Sequence, residues 1–157
     1  MKIETADEII EFFRDFNAHF KRMISFLSEK ENRILKDDIV WLSDSLTQEQ
    51  ALVMTSTRLE DQRLSLFEEK GYKDYKSEQI INEMPPERQA LMRLECDKLA
   101  DSIFNIKKIN IRSLDLVERK LTVLAKAINA PEFTSVDTYT ENCEKIKHSV
   151  GDIIGSV

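Results

Sequence analysis

Residues 8–27 read EIIEFFRDFNAHFKRMISFL, and the spacing of their apolar side chains decides the fold. Ile9, Phe13, Phe16, Phe20, Met23 and Leu27 recur at alternating steps of four and three, which places them on one side of an α-helix. Ile34 rejoins the series after a polar step at Lys30. Five of the first 27 residues are phenylalanine, counting Phe26, and so large an apolar load on one side reads as a core stripe. Upstream, Thr5 and Glu8 have the spacing of a capping box, so the helix is expected to begin at Thr5.

Working outward, the helix breakers are few and clustered. The glycines are Gly71, Gly151 and Gly155, and the prolines are Pro85, Pro86 and Pro131. Residues 1–70 and 87–130 therefore contain neither type, although proline costs about 3 kcal/mol inside a helix and glycine about 1 kcal/mol relative to alanine. One continuous helix through residue 70 would run roughly 100 Å, which a chain of this size cannot bury. A break at Lys36-Asp37-Asp38, with an Asp capping the next helix, predicts a hairpin instead. Ile39, Leu42, Leu46, Val53, Leu64 and Phe67 are expected to face inward from the second helix. Gly71 ends it. Ser77 is expected to cap a short helix, Pro85 stops that helix, and Pro86 fits the first position of the next one.

In that last long helix, Leu91, Leu94, Leu99, Ile103 and Ile106 are expected to face inward. Leu114, Val117, Leu121, Leu124 and Ile128 continue the line. Asn110 falls between the two groups, where it either fixes register or sits in a solvated layer. The expected architecture is all-α: an elongated antiparallel bundle of three long helices (about 5–35, 38–70 and 86–129), a short helix (77–84) and an amphipathic C-terminal segment. Residues 1–130 form the bundle and 131–157 the tail. In the tail, Tyr139, Cys143, Ile146, Val150 and Ile153 recur at helical spacing within an otherwise polar stretch. Such a stripe does not hold a helix in water by itself. It either packs back on the bundle or meets a partner.

Composition narrows the function. The 157 residues carry a formal net charge of −6, one third are charged, and 41% are hydrophobic, values that fit one globular domain. The acidic balance argues against nucleic acid. No apolar run reaches the length of a membrane span, and the first residues lack a signal-peptide core, so a cytoplasmic protein with reduced Cys96 and Cys143 is expected. His19 and His148 are the only histidines and neither has a Glu-x-x-His companion. Three scattered glycines make no phosphate loop. No catalytic, metal or cofactor site is expected, and a binding protein is.

Several stretches carry a family resemblance. They are Met23-Ile24-Ser25-Phe26-Leu27-Ser28-Glu29-Lys30-Glu31, the break Leu35-Lys36-Asp37-Asp38, and Leu64-Ser65-Leu66-Phe67-Glu68-Glu69-Lys70-Gly71-Tyr72. After these come the short helix from Ser77 to Glu83, the start Pro86-Glu87-Arg88, and then Asn105, Asn110, Ser113-Leu114 and Leu121 to Leu124. In this order they resemble the FlgN family of flagellar type III export chaperones over about residues 10–130. The chain departs from the family's short Gly-Asp break, which is Lys-Asp-Asp here. The resemblance implies a small cytoplasmic chaperone that holds the terminal segments of hook-associated, hook–filament junction proteins before export. Components of the export apparatus are further expected partners. Tyr139, Cys143, Ile146, Val150 and Ile153 are the expected partner-binding residues. The alternative reading is a structural coiled-coil protein that self-associates through its tail.

Overall fold

The computed structural model describes residues 1–128, which form five helices and no strand. These are α1 (Ile3–Leu35), α2 (Ile39–Asp44), α3 (Leu46–Glu69), α4 (Ser77–Glu83) and α5 (Pro86–Ala127). The all-α expectation holds. The chain divides into two compact units, Met1–Ser113 and Leu114–Val157. The tail, with the expected boundary at residue 130 and the end signal Asn129-Ala130-Pro131, lies outside the described residues.

In α1 the aromatic stripe is the core, as its spacing predicts. Ile9, Phe13, Phe16, Phe20, Leu27 and Ile34 are buried, together with Ala6, Ile10 and Phe26, while Met23 is half-buried. Full burial of one such large side chain stabilises by roughly 1.5–3 kcal/mol, so this face dominates the energetics of the unit. Phe16 and Phe20 lie 5.2 Å apart between ring centres, and Phe13 stacks on Phe67 of α3 at 6.4 Å. The start differs from expectation. The helix begins at Ile3 after Lys2, no side chain caps it, and Thr5 lies inside the first turn. Glu8, the expected partner of Thr5, instead sits 2.7 Å from Lys70 Nζ.

The break at 36–38 is real. The Asp38 amide donates to the Arg33 carbonyl and the Asp37 amide to that of Ile34, with Asp37 at φ +56°. This is a Schellman ending, which uses a left-handed residue to satisfy the last carbonyls. The end of α3 repeats it: the Tyr72 amide donates to Phe67 and the Gly71 amide to Glu68, with Gly71 at φ +82°. Asp38 then caps α2, its Oδ1 accepting from the Trp41 amide. The expected single helix 38–70 is interrupted at Ser45, which is buried and donates its hydroxyl back to the Leu42 carbonyl. Such back-bonding competes with the helix ladder and bends it. Ser77 is the first residue of α4 rather than its cap, and Gln79 Oε1 accepts from the Lys76 amide. Pro86 opens α5 as expected.

The inward faces of α3 and α5 match expectation in part: Phe67 on α3 and Leu99, Ile103 and Ile106 on α5 are buried as expected, and other positions differ. On α3, Leu59 and Phe67 are buried and Leu52 and Leu66 half-buried, whereas Ile39, Leu46, Val53 and Leu64 of the expected stripe are exposed. Between these the inward side also carries Ser45, Glu49, Ser56 and Arg63, and these polar groups are paired. Lys30 Nζ donates to both Glu49 oxygens (2.6 and 2.8 Å), and Arg63 donates to Glu60 while lying over the Phe67 ring. On α5 the buried line is Met92, Glu95, Leu99, Ser102, Ile103, Ile106 and Ile109. Leu91, Leu94 and Asn110 are exposed.

Cross-helix pairs fix the directions. Glu8 meets Lys70, Phe13 meets Phe67, His19 meets Ser56, and Lys30 meets Glu49, so α1 and α3 are antiparallel. Asp7 meets Arg88, Asn17 meets Glu95, and Glu31 meets Arg112, so α1 and α5 run parallel. Within the first unit the long helices therefore alternate up, down and up. The α4 helix buries Ile80 and Ile81 and is tied to α5 by Arg93 and Glu78.

Candidate partner-binding site

Several ionisable groups inside the first unit are engaged in holding it together. His19, almost fully buried, lies 2.8 Å from the Ser56 hydroxyl through Nε2, and that hydroxyl donates to the Leu52 carbonyl. Burial, then the nearby Arg22 and Arg58 charges, hold its pKa below the ordinary value. Burial also pushes the Glu95 carboxyl up, but bonds from Lys98 and Asn17 outweigh it and leave the group below the usual range. The Cys96 thiol is pushed up to about 11, chiefly by burial and then by Asp97 and Glu78, so it stays protonated near neutral pH. Among the described residues no group of His, Cys, Asp and Glu could hold a metal ion, and no helix is long and apolar enough to cross a membrane.

Binding chemistry is found on apolar surface. In the second unit, α5 continues the line that the sequence predicts through Leu114, Val117, Leu121, Leu124 and Ile128, but burial fades along it. Leu114 and Val117 are half-buried, whereas Leu121, Leu124 and Ile128 are 56%, 56% and 63% exposed. The steps of three and four keep these side chains on one side of the helix. Charged residues flank the line, with Arg119 paired to Asp115 four residues earlier. An apolar stripe of this length between charged flanks has the form of half a helix–helix seam. The tail residues expected to bind a partner, Tyr139, Cys143, Ile146, Val150 and Ile153, lie outside the described residues, as does His148.

A different apolar surface belongs to the first unit. Ile39 and Val40 of α2 and Leu46, Val53 and Met54 of α3 are all exposed. The same unit has a cleft of about 370 Å³ lined by Arg22, Phe26, Glu29, Trp41, Gln48 and Leu52, with Ser25. Trp41 stacks on Phe26 (5.8 Å between ring centres) and lies under the Arg33 guanidinium at 5.4 Å, which fastens α2 to α1. Sequence reasoning missed Trp41. Its place three residues after the capping Asp38, as the sole tryptophan, is the signal that could have found it.

A family model described as FlgN protein matches residues 1–144, nearly the whole chain. No curated protein and no solved structure matches.

Proposed function

The chain belongs to the FlgN family of flagellar type III export chaperones, and from that premise we propose that it binds the terminal segments of hook-associated, hook–filament junction subunits. It holds them unassembled in the cytoplasm until export. The observation that carries this reading is the exposed line Leu121, Leu124 and Ile128, which continues from the half-buried Leu114 and Val117. A subunit segment that becomes an amphipathic helix on assembly has an apolar face needing cover. Helix-in-groove docking supplies it, using anchors at the same steps of three and four. Ordering a flexible segment opposes binding, which keeps the affinity moderate and release to the export apparatus feasible. The tail stripe Tyr139, Cys143, Ile146, Val150 and Ile153 supplies further apolar surface for the same partner. The reading assigns no catalytic step to the protein.

The test is binding of purified hook-associated subunits to the full chain, to Leu121→Asp/Leu124→Asp, and to Ile146→Asp/Val150→Asp. Each exposed leucine changed to Asp removes about 1.5–3 kcal/mol of apolar contact, so binding by the first variant should weaken at least tenfold. Its helicity should match the full chain. Weakening by the second variant would extend the site onto the tail. Undiminished binding by both would overturn the assignment of the site, and no binding by the full chain would overturn the reading itself and favour the self-associating coiled-coil alternative.

A further inference from the structure

Residues 46–57 of α3 read LTQEQALVMTST and contain a single ionisable side chain, Glu49, in a chain that is one third charged. Glu49 does not face solvent freely, because Lys30 of α1 holds both its oxygens. The outward surface of this stretch is thus uncharged. Two of its threonine hydroxyls are bonded back to the helix: Thr55 donates to the Ala51 carbonyl at 2.8 Å and Thr57 to that of Val53 at 3.3 Å. Met54 is 71% exposed on the side opposite the buried residues, where the uncharged Thr47, Gln50 and Ala51 are its exposed neighbours.

The charges that bracket this surface are arranged for self-pairing. Asp44, Thr47, Ala51, Met54 and Arg58 follow one another at steps of three and four, and all five are exposed. The turn at Ser45 keeps the stripe nearly continuous, since the Ser45 amide donates to Trp41 and the Glu49 amide to Ser45. An acid and a base therefore stand at the two ends, two heptads or about 21 Å apart, with a small residue midway. An antiparallel copy of the same helix, crossed at Ala51, brings each Asp44 to the other copy's Arg58. It also lets the backbones approach at the alanines and packs Met54 near the other copy's Thr47. A parallel copy would set like charges against each other. The net charge of −6 repels copies from one another, so contact is least opposed where the surface carries no charge.

We propose that the α2–α3 face is a self-pairing surface on which a second copy of this chain docks antiparallel, about a two-fold axis near Ala51. The contact is isologous, and its small apolar centre makes it weak and concentration-dependent.

The experiment is the concentration dependence of mass for the full chain, Asp44→Arg, and the swap Asp44→Arg/Arg58→Asp. The chain should approach dimer mass. Asp44→Arg faces arginine against arginine and should weaken dimerisation about tenfold or more, and the swap should restore it. Helicity by circular dichroism should be equal in all three. As a second measurement, Ala51→Cys in a Cys96→Ser/Cys143→Ser background should cross-link to itself under oxidised glutathione, whereas Gln62→Cys, a comparison site outside the contact, should not. Monomer mass at every concentration would overturn the proposal. So would a dimer indifferent to Asp44→Arg, one that the swap fails to restore, or equal cross-linking at both positions.

Discussion

Asn17 of α1 and Glu95 of α5 form a buried polar clamp in which Asn17 Nδ2 donates to Glu95 Oε2 at 2.8 Å and to the Glu95 carbonyl at 3.0 Å. Lys98 donates to the other carboxylate oxygen. The Asn17 Oδ1 atom is buried without a partner. A buried acceptor that loses its donor costs about 1–3 kcal/mol. Asn17→Ala should therefore destabilise by about that amount in urea unfolding. Glu95→Gln should destabilise as well, because both carboxylate oxygens accept, one from Asn17 and one from Lys98, and an amide can replace only one of them. Equal stability of Asn17→Ala and the parent would mean that the clamp contributes nothing.

The same clamp explains which parts of the fold were legible in the sequence. The α1 stripe could be read directly, because its phenylalanines leave no competing face. On α5 apolar residues occupy neighbouring positions, as in Leu91-Met92 and in Ile109 and Ile111 on either side of Asn110. Apolar spacing alone therefore permits several rotations. The pairing of Glu95 with Asn17 selects the one that buries Met92 and Ile109 and exposes Leu94. On α3 the inward side is partly polar, with Ser56 answering His19 and Glu49 answering Lys30, so the apolar Leu46, Val53 and Leu64 pointed the reading outward. The line at the end of α5 was legible as a seam, but its exposure was not, since spacing does not say whether a neighbouring helix is present.

The two Schellman endings make a paired prediction. Gly71 sits at φ +82° and a Cβ added there meets nothing within 4 Å, so any cost of Gly71→Ala comes from the backbone alone. That cost is about 1–2 kcal/mol. Asp37 occupies the equivalent position at φ +56° with a side chain already present, and Asp37→Gly should stabilise by about 0.5–1 kcal/mol. Trp41, the sole tryptophan, lies just beyond this break and reports on it by fluorescence during denaturation. Opposite signs for the two variants are expected, and a loss of stability in Asp37→Gly would show that the Asp37 side chain outweighs its backbone strain.

Cys96 should be a slow thiol. Its pKa of about 11 leaves little thiolate at pH 8, and its half-buried position limits access. In a Cys143→Ser background, alkylation by iodoacetamide should run more than tenfold slower in the native protein than in urea. A native rate equal to the unfolded one would mean that the helix around Cys96 opens readily.

Stability should fall on mild acidification, and His19 is the reason. Its pKa in the folded state lies below the ordinary 6.5, because burial and the charges of Arg22 and Arg58 disfavour the imidazolium. The unfolded chain therefore binds the proton first as pH falls. Proton uptake by the unfolded state lowers the free energy of unfolding. The contribution is fully present above about pH 6.5 and is lost progressively as pH drops from there towards the lowered folded value. The depressed carboxylates Asp7, Asp38 and Glu95 work in the same direction but only at lower pH, below the ordinary carboxylate range. His19→Gln keeps a donor for Ser56 and removes the titration. Its stability should be flatter between about pH 7.5 and about pH 5.5 than that of the parent, by urea unfolding at each pH. Parallel curves for the two proteins would assign the acid sensitivity to another group.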